Sequence, residues 1–298
     1  MARHTIKAWT IATRPWSFTA SGLTVLVVLA YLDWSVGSID WINGLWAIAA
    51  IILFHAAGNT WSDYHDYMKG IDAADTYSVD TLTSGAFKPH EIRNFSLCLL
   101  VMALIAGGTL ILRAGIGLIW IGLGGLICTL LYPMMKARAM GDVVILMAYG
   151  LLPALGTSYV ATGQFHWSVM WVALPVALLV DSILHANNTR DMLTDRRASI
   201  KTLPHLLGVR RSVVLYILEM TIPFMWIAVL CLFGILPLCS LITLILVPVA
   251  IRNSQTMQRY KTESDAEAIA SLDQRSAQLQ LMYCVLMSLT LMADLWLR

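Results

Sequence analysis

Apolar residues run along this chain in long blocks, near 16–33, 41–62, 94–112, 115–134, 141–162, 167–187, 212–233, 236–251 and 277–297, with shorter polar connectors between them. A helix of about 20 apolar residues crosses a bilayer core. Backbone groups inside lipid must be satisfied within the segment or in a closed barrel. Blocks of this length therefore predict an all-α fold, a polytopic bundle of about nine transmembrane helices forming a single domain over residues 1–298. The block at 236–251 is short, and Pro237 and Pro248 blur its ends.

Composition strengthens that reading. Of 298 residues, 58% are hydrophobic and only 13% are charged, and the mean hydropathy is +0.70. A soluble domain carries about a quarter charged residues, so a soluble globular class is excluded. The net charge of +2 says little about partners, and nothing in it points to nucleic acid. The placement of the charges says more. Nine helices put residues 1–15, 66–93, 135–140, 188–211 and 252–276 on one side, with eighteen of the Lys and Arg residues, and leave Arg113 and Arg298 on the other. The positive-inside rule then predicts a cytoplasmic N-terminus and an outer C-terminus, and we take the bilayer to be the cytoplasmic membrane of a bacterium. The long connectors share the basic side, so function and the mouth of a central cavity are expected there.

Three smaller signals narrow the class. The first block lacks a small-x-small cleavage site and reads as a retained helix, not a signal peptide. Cys98, Cys128, Cys231, Cys239 and Cys284 lie in or beside spans without a CxxC pair, as packing residues do. IGLGGL, with Gly117, Gly122, Gly124 and Gly125 in and beside it, has no strand before it, so helix packing explains it better than a dinucleotide loop.

Two polar stripes break the apolar pattern. Residues 55–72 read HAAGNTWSDYHDYMKGID. Asn59, Asp63 and Asp66 stand at i, i+4 and i+7, on one helix face, with His55 one turn deeper. In DSILHANNTRDMLTD, residues 181–195, Asp181, His185, Asn188, Asp191 and Asp195 fall within an arc of about 120° at helical spacing. Asn187 lies at its margin. A carboxylate at mid-bilayer costs roughly 2.5–3.5 kcal/mol on insertion scales. One polar stripe at a helix end is ordinary interfacial solvation, but two on the same side, each followed by a basic loop, ask for a ligand. Facing stripes of amide and carboxylate oxygens suit Mg²⁺, which takes a few carboxylates, waters and phosphate oxygens. Lys69 after the first stripe and Arg190, Arg196, Arg197 and Lys201 around the second add cations for an oxyanion. Glu219, inside the seventh block, should be paired or face a cavity. His185 reads equally as a ligand or as an imidazole satisfied by a helix neighbour.

These motifs resemble the UbiA superfamily of intramembrane prenyltransferases. The first appears as Asn59-Thr-Trp-Ser-Asp63-Tyr-His-Asp66 and continues through Lys69-Gly70-Ile71-Asp72. The second is NNTRDMLTDRRASIKTL, carrying Asn187, Asn188, Arg190, Asp191, Asp195, Lys201, Thr202 and Leu203. Arg14-Pro15-Trp16-Ser17-Phe18 and Met140-Gly141-Asp142 support it. The N-x3-D-x2-D spacing is similar to the branch that prenylates 1,4-dihydroxy-2-naphthoate in menaquinone synthesis, with its vitamin K-making animal relatives. Ser199 departs from a usual Gly, Asp181 from a longer acid or neutral residue, and DTYSVDTLTSGAFKP matches loosely.

The resemblance implies a polyprenyl diphosphate donor and an aromatic acceptor, joined by electrophilic substitution inside the bilayer. It implies two Mg²⁺ ions on Asn59, Asp63, Asp66, Asp191 and Asp195. Diphosphate contacts fall to Arg14, Lys69, Arg190 and Lys201, and Asp63, Asp191 and Lys201 carry the catalytic role. His55, Asn188, Tyr132, Tyr149 and Asp181 are candidates for the acceptor or the allylic cation. Other acceptors, 4-hydroxybenzoate or homogentisate among them, and a divalent-cation transporter are the competing readings. Donor chain length and oligomeric state are not encoded in any motif. No GxSxG, HExxH or Walker sequence supports a hydrolase or an ATPase.

Overall fold

The computed structural model describes residues 5–70 and 81–297. Arg3, Ile71-Asp72, the 75–80 part of DTYSVDTLTSGAFKP and Arg298 lie outside the described residues. The helices are α1 (Ile6–Ala12), α2 (Thr19–Val36), α3 (Trp41–Met68), α4 (Pro89–Ala114), α5 (Leu118–Lys136), α6 (Gly141–Ile145), α7 (Leu152–Thr162), α8 (Ser168–Arg190), α9 (Met192–Arg197), α10 (Leu203–Leu207), α11 (Val209–Leu232), α12 (Val247–Met257) and α13 (Leu272–Leu297). Among the described residues there is no strand. Nine segments there are long and apolar enough to span a bilayer, which makes this an integral membrane protein.

Local chemistry sets several boundaries. The Asp40 carboxylate caps α3 by accepting from Asn43 N at 2.8 Å. Pro89 opens α4, while Glu91 reaches back to Lys88 N at 2.7 Å. The short 236–251 block becomes a 3₁₀ stretch, Leu238–Leu246, running into α12. Pro237 precedes the 3₁₀ stretch and Pro248 sits in the first turn of α12, where its missing N–H costs nothing. Between α6 and α7 the chain takes one π-helical segment, Leu146–Leu151, just before Pro153. Proline cannot donate to the ladder, and the wider turn absorbs the mismatch.

Inside lipid, helices associate through close packing and polar contacts rather than hydrophobic burial. The α8 helix packs against α11 and α13, and α13 packs against α2. Of the most apolar window of α8, 67% is enclosed, against 11% for α5, so α8 is the central post and α5 an outer wall. A Cβ added at Gly150 would stand 2.5 Å from Ala177 Cβ, so the π segment meets α8 at a distance only glycine allows. Asp294 accepts from Trp34 Nε1 at 2.8 Å, joining α13 to α2. Such interhelical bonds contribute about 0.6 kcal/mol each on average.

The IGLGGL glycines divide between two uses. A Cβ at Gly124 would come within 3.2 Å of Leu152, as packing predicts. Gly122 and Gly125 meet nothing within 4 Å and instead line the central cavity.

Candidate active site

The end of α3, the end of α8 with α9, and the segment joining α1 to α2 converge on one cavity of about 720 Å³. Its polar end is lined by Arg14, Asn59, Asp66, Lys136, Asp191 and Asp195. Away from that end its walls are apolar, formed by α3, α4, α5 and α7 through residues such as Ala50, Gly108, Ile119 and Leu152.

The polar end is organised by cations placed against carboxylates. Arg14 precedes Pro15, where the ordinary helical region is disfavoured, and it adopts a left-handed φ of 55°. That conformation costs of order 1–3 kcal/mol in a non-glycine residue, and it aims the guanidinium at Asp63, with which it forms an ion pair. Lys136, the last residue of α5, reaches Asp66 Oδ2 at 3.5 Å. Ser62 Oγ donates to the same oxygen at 3.4 Å. At the end of α8, Arg190 donates to both oxygens of Asp191, at 2.7 and 3.0 Å. It also donates to Asp273 at 3.0 Å, to the Ala270 carbonyl at 3.3 Å and to Asn187 Oδ1. Arg190 is thus a buried clamp holding the motif to the start of α13. Asp195 is buried, and its Oδ2 has no hydrogen-bond partner among the described residues. Burial pushes its carboxyl up to about 6, Lys136 pulls the other way, and Asp191 and Asp66 add to the rise.

The structure brings Asn59, Asp66, Asp191 and Asp195 to the cavity wall, with Asp63 joined to it through Arg14. His55, Tyr132 and Tyr149 line the same cavity. The His55 and Tyr149 rings lie 4.6 Å apart, and Phe18 meets His55 edge-on at 5.5 Å. Lys69 and Lys201 are exposed and stand outside the lining. Asn188 is buried, and its neighbour Asn187 lines the wall. Asp181 and His185 face away from the cavity. There His185 Nε2 donates to the Ser212 carbonyl at 3.0 Å, and Nδ1 lies 3.6 Å from Asp142. Glu219 joins that rear group, with neither oxygen hydrogen-bonded among the described residues, so the expectation of a paired or cavity-facing acid is not met there.

Lys136 is the main residue that sequence reasoning passed over. Its signal was its position four residues after Tyr132, one turn along the same helix face. Ser62 and Asp273 likewise line the site only once the helices are assembled.

Hard oxygen donors dominate the polar end, and Asp195, which lines it, has a buried Oδ2 with no hydrogen-bond partner among the described residues, a donor set that fits Mg²⁺. Among the described residues, no three carboxylate, imidazole or thiol groups converge closely enough to hold an ion by themselves.

Residues 22–282 match the UbiA prenyltransferase family. UbiA prenyltransferase domain-containing protein 1 of Danio rerio is 35% identical over 230 residues, 75% of this chain and 68% of that protein. The Mus musculus protein of the same name is 32% identical over 286 residues, 94% of this chain and 82% of that protein. Among solved structures, a UbiA homologue from Aeropyrum pernix aligns with a TM-score of 0.69 at 13% identity, over 93% of this chain and 97% of its own. A UbiA homologue from Archaeoglobus fulgidus, bound to GPP and Mg²⁺, aligns with a TM-score of 0.61 at 14% identity, over 94% and 99%. The two sequence relatives named above are animal proteins named for their UbiA domain. They support neither a bacterial membrane nor a branch specific for dihydroxynaphthoate, which the motif spacing led us to expect. The family match and the fold agree: the chain belongs to the UbiA prenyltransferase family.

Proposed function

We propose that this protein transfers a prenyl group from a prenyl diphosphate to a 1,4-dihydroxynaphthalene ring inside the bilayer. The observation that carries this reading is one cavity with a cationic and carboxylate-rich end and a long apolar remainder. That is the shape of a diphosphate head on a hydrocarbon tail. The Archaeoglobus homologue of the same fold binds GPP and Mg²⁺, which supports the donor class and a divalent metal.

In this assignment Asn59, Asp63 and Asp66 hold one Mg²⁺, and Asp191 and Asp195 a second. When bound, the metal offsets negative charge on the leaving diphosphate. Arg14 and Lys136 face the diphosphate oxygens, and Arg190 keeps Asp191 in place from behind. Lys69 and Lys201, at the rim, draw the anionic donor in by charge. As the allylic C–O bond breaks, its electron pair leaves with the diphosphate, and a ring carbon of the acceptor attacks the allylic carbon. The ring regains aromaticity by losing a proton, or CO₂ where the acceptor carries a carboxylate at that carbon. The apolar walls keep water from the cation, and His55, Tyr132 and Tyr149, which line the cavity, form the aromatic wall against which the acceptor stacks. The N-terminus lies in the cytoplasm, on the charge asymmetry of the loops.

The motif spacing favours 1,4-dihydroxy-2-naphthoate as the acceptor. Purified protein in lipid nanodiscs, given labelled geranylgeranyl diphosphate, Mg²⁺ and single acceptors, tests this. Product is expected with a dihydroxynaphthalene, and comparing rings with and without the carboxylate fixes the specificity. Product only with 4-hydroxybenzoate or homogentisate would overturn the acceptor. The absence of prenylated product with every acceptor would overturn the reaction. A divalent-cation transporter has no support once the family is assigned.

A further inference from the structure

The segment Thr13–Ser17 carries a hydrogen-bond junction with a definite direction. The Asn59 Nδ2 group donates to the Thr13 carbonyl at 2.9 Å and to Ser17 Oγ at 3.0 Å. A backbone carbonyl only accepts, so the side of the amide facing Thr13 is its nitrogen. Both amide hydrogens are then used, and Oδ1 is turned the other way, on a residue that lines the cavity.

Ser17 has one hydroxyl hydrogen. Its Oγ lies 2.8 Å from the Arg14 carbonyl, again an obligate acceptor, so the hydrogen goes there. The lone pairs of Ser17 Oγ are left to accept from Asn59, and His55 Nε2 lies 3.2 Å away. On its other side His55 Nδ1 lies 3.0 Å from Ser21 Oγ, whose hydroxyl is also 3.2 Å from the Phe18 carbonyl. Both nitrogens of His55 are engaged within the protein, and the residue lines the cavity beside Tyr149.

We propose that Ser17 is a positioning residue: it turns Asn59 Oδ1 into the cavity as an oxygen donor to the divalent cation at the diphosphate end. It also holds the His55 ring against Tyr149, so one hydroxyl sets both the metal end and the aromatic wall. The inference rests on the proposed role of Asn59 as a metal donor. Groups that orient a ligand typically change metal affinity about 10- to 100-fold when removed.

The test is Mn²⁺ binding by electron paramagnetic resonance on protein in nanodiscs with inorganic pyrophosphate, without turnover. Ser17→Ala is expected to weaken Mn²⁺ binding about 10-fold, while Ser17→Thr, which keeps the hydroxyl, stays near wild type. Asn59→Leu is expected to weaken it at least as much, with Ser17→Ala adding nothing on top, the sign that the two act as one unit. If Ser17→Ala does not accumulate as folded protein, Ser17→Cys reads the same loss with a weaker acceptor of similar size. Wild-type Mn²⁺ affinity in the folded Ala or Cys variant would overturn the proposal. Wild-type affinity in Asn59→Leu would overturn the role of Asn59 beneath it. Absence of prenyl transfer by the wild type, with these binding effects intact, would remove the proposed reaction and leave Ser17 in its role.

Discussion

One helix, α8, carries ionisable side chains on two faces, and the faces are built differently. On the cavity side, Asp191 is held by Arg190, and across the cavity Asp63 and Asp66 meet Arg14 and Lys136. On the rear, Asp181 and His185 meet Asp142 of α6 and Glu219 of α11, at 5%, 0%, 5% and 2% exposure. Among the described residues, no Lys or Arg forms an ion pair with those three acids. The same residue types thus serve two ends. Carboxylates matched by cations around an open space can exchange partners when an anionic ligand and its metal arrive. Carboxyls closed into a packed interface cannot, and their removal should be felt in stability, not in turnover.

The sharpest test of that contrast removes a cavity carboxylate. Asp66→Asn and Asp191→Asn keep side-chain volume while losing the charge. Each is expected to lower prenyl transfer by about 100-fold or more, the scale of losing a transition-state charge stabiliser, with little change in the thermal midpoint. Full activity in both variants, measured with labelled donor in nanodiscs, would break the assignment of the cavity as the active site. Next in size is Lys136→Met, which keeps the aliphatic stem but leaves Asp66 without its cation. A loss of about 10- to 100-fold in kcat/KM for the donor is expected, as when a charge-assisted contact to an oxyanion is removed.

How much of this was readable before the structure follows from the range of each interaction. Polarity recurring along one helix is a local property, so the stripe at 59–66, the part of 181–195 that lies on α8 and the nine spans found among the described residues could be read directly, whereas the break at Asp191 that puts Asp195 on α9 could not. Pairing between helices is not local. Nothing near Lys136 in the chain marks it as the partner of Asp66, seventy residues earlier. The arc that joined Asp181 and His185 to Asp191 was real as helix geometry, yet α8 is central, so its stripe is divided between cavity and rear. The π segment at Leu146–Leu151 also escaped the periodic pattern, because it changes the turn just where Tyr149 is presented to the cavity. Ser17 was visible only as part of a motif, since its role depends on which way Asn59 is turned.

The rear face supplies the third test. A buried polar group without a hydrogen bond costs about 1–3 kcal/mol, a penalty that a packed apolar side chain does not carry. Glu219→Leu is therefore expected to hold or raise the thermal midpoint and to leave prenyl transfer within about 3-fold, because neither Glu219 oxygen has a hydrogen bond to lose. A large drop in activity with the fold intact would erase the distinction between the two faces and bring the rear acids into the chemistry.

The smallest effect is expected at the rim. Lys69 and Lys201 are exposed and outside the cavity lining, so Lys69→Gln and Lys201→Gln remove charge that acts at a distance. Such interactions are largely screened beyond about 8 Å at physiological ionic strength. Each change should therefore lower kcat/KM for the donor by no more than about 3-fold there, and by more at low salt, where steering reaches further. Turnover at saturating donor should not move. A loss of 10-fold or more that ignored salt would mean that a lysine touches the diphosphate directly, since a contact made inside the cavity is sheltered from screening as a rim charge is not.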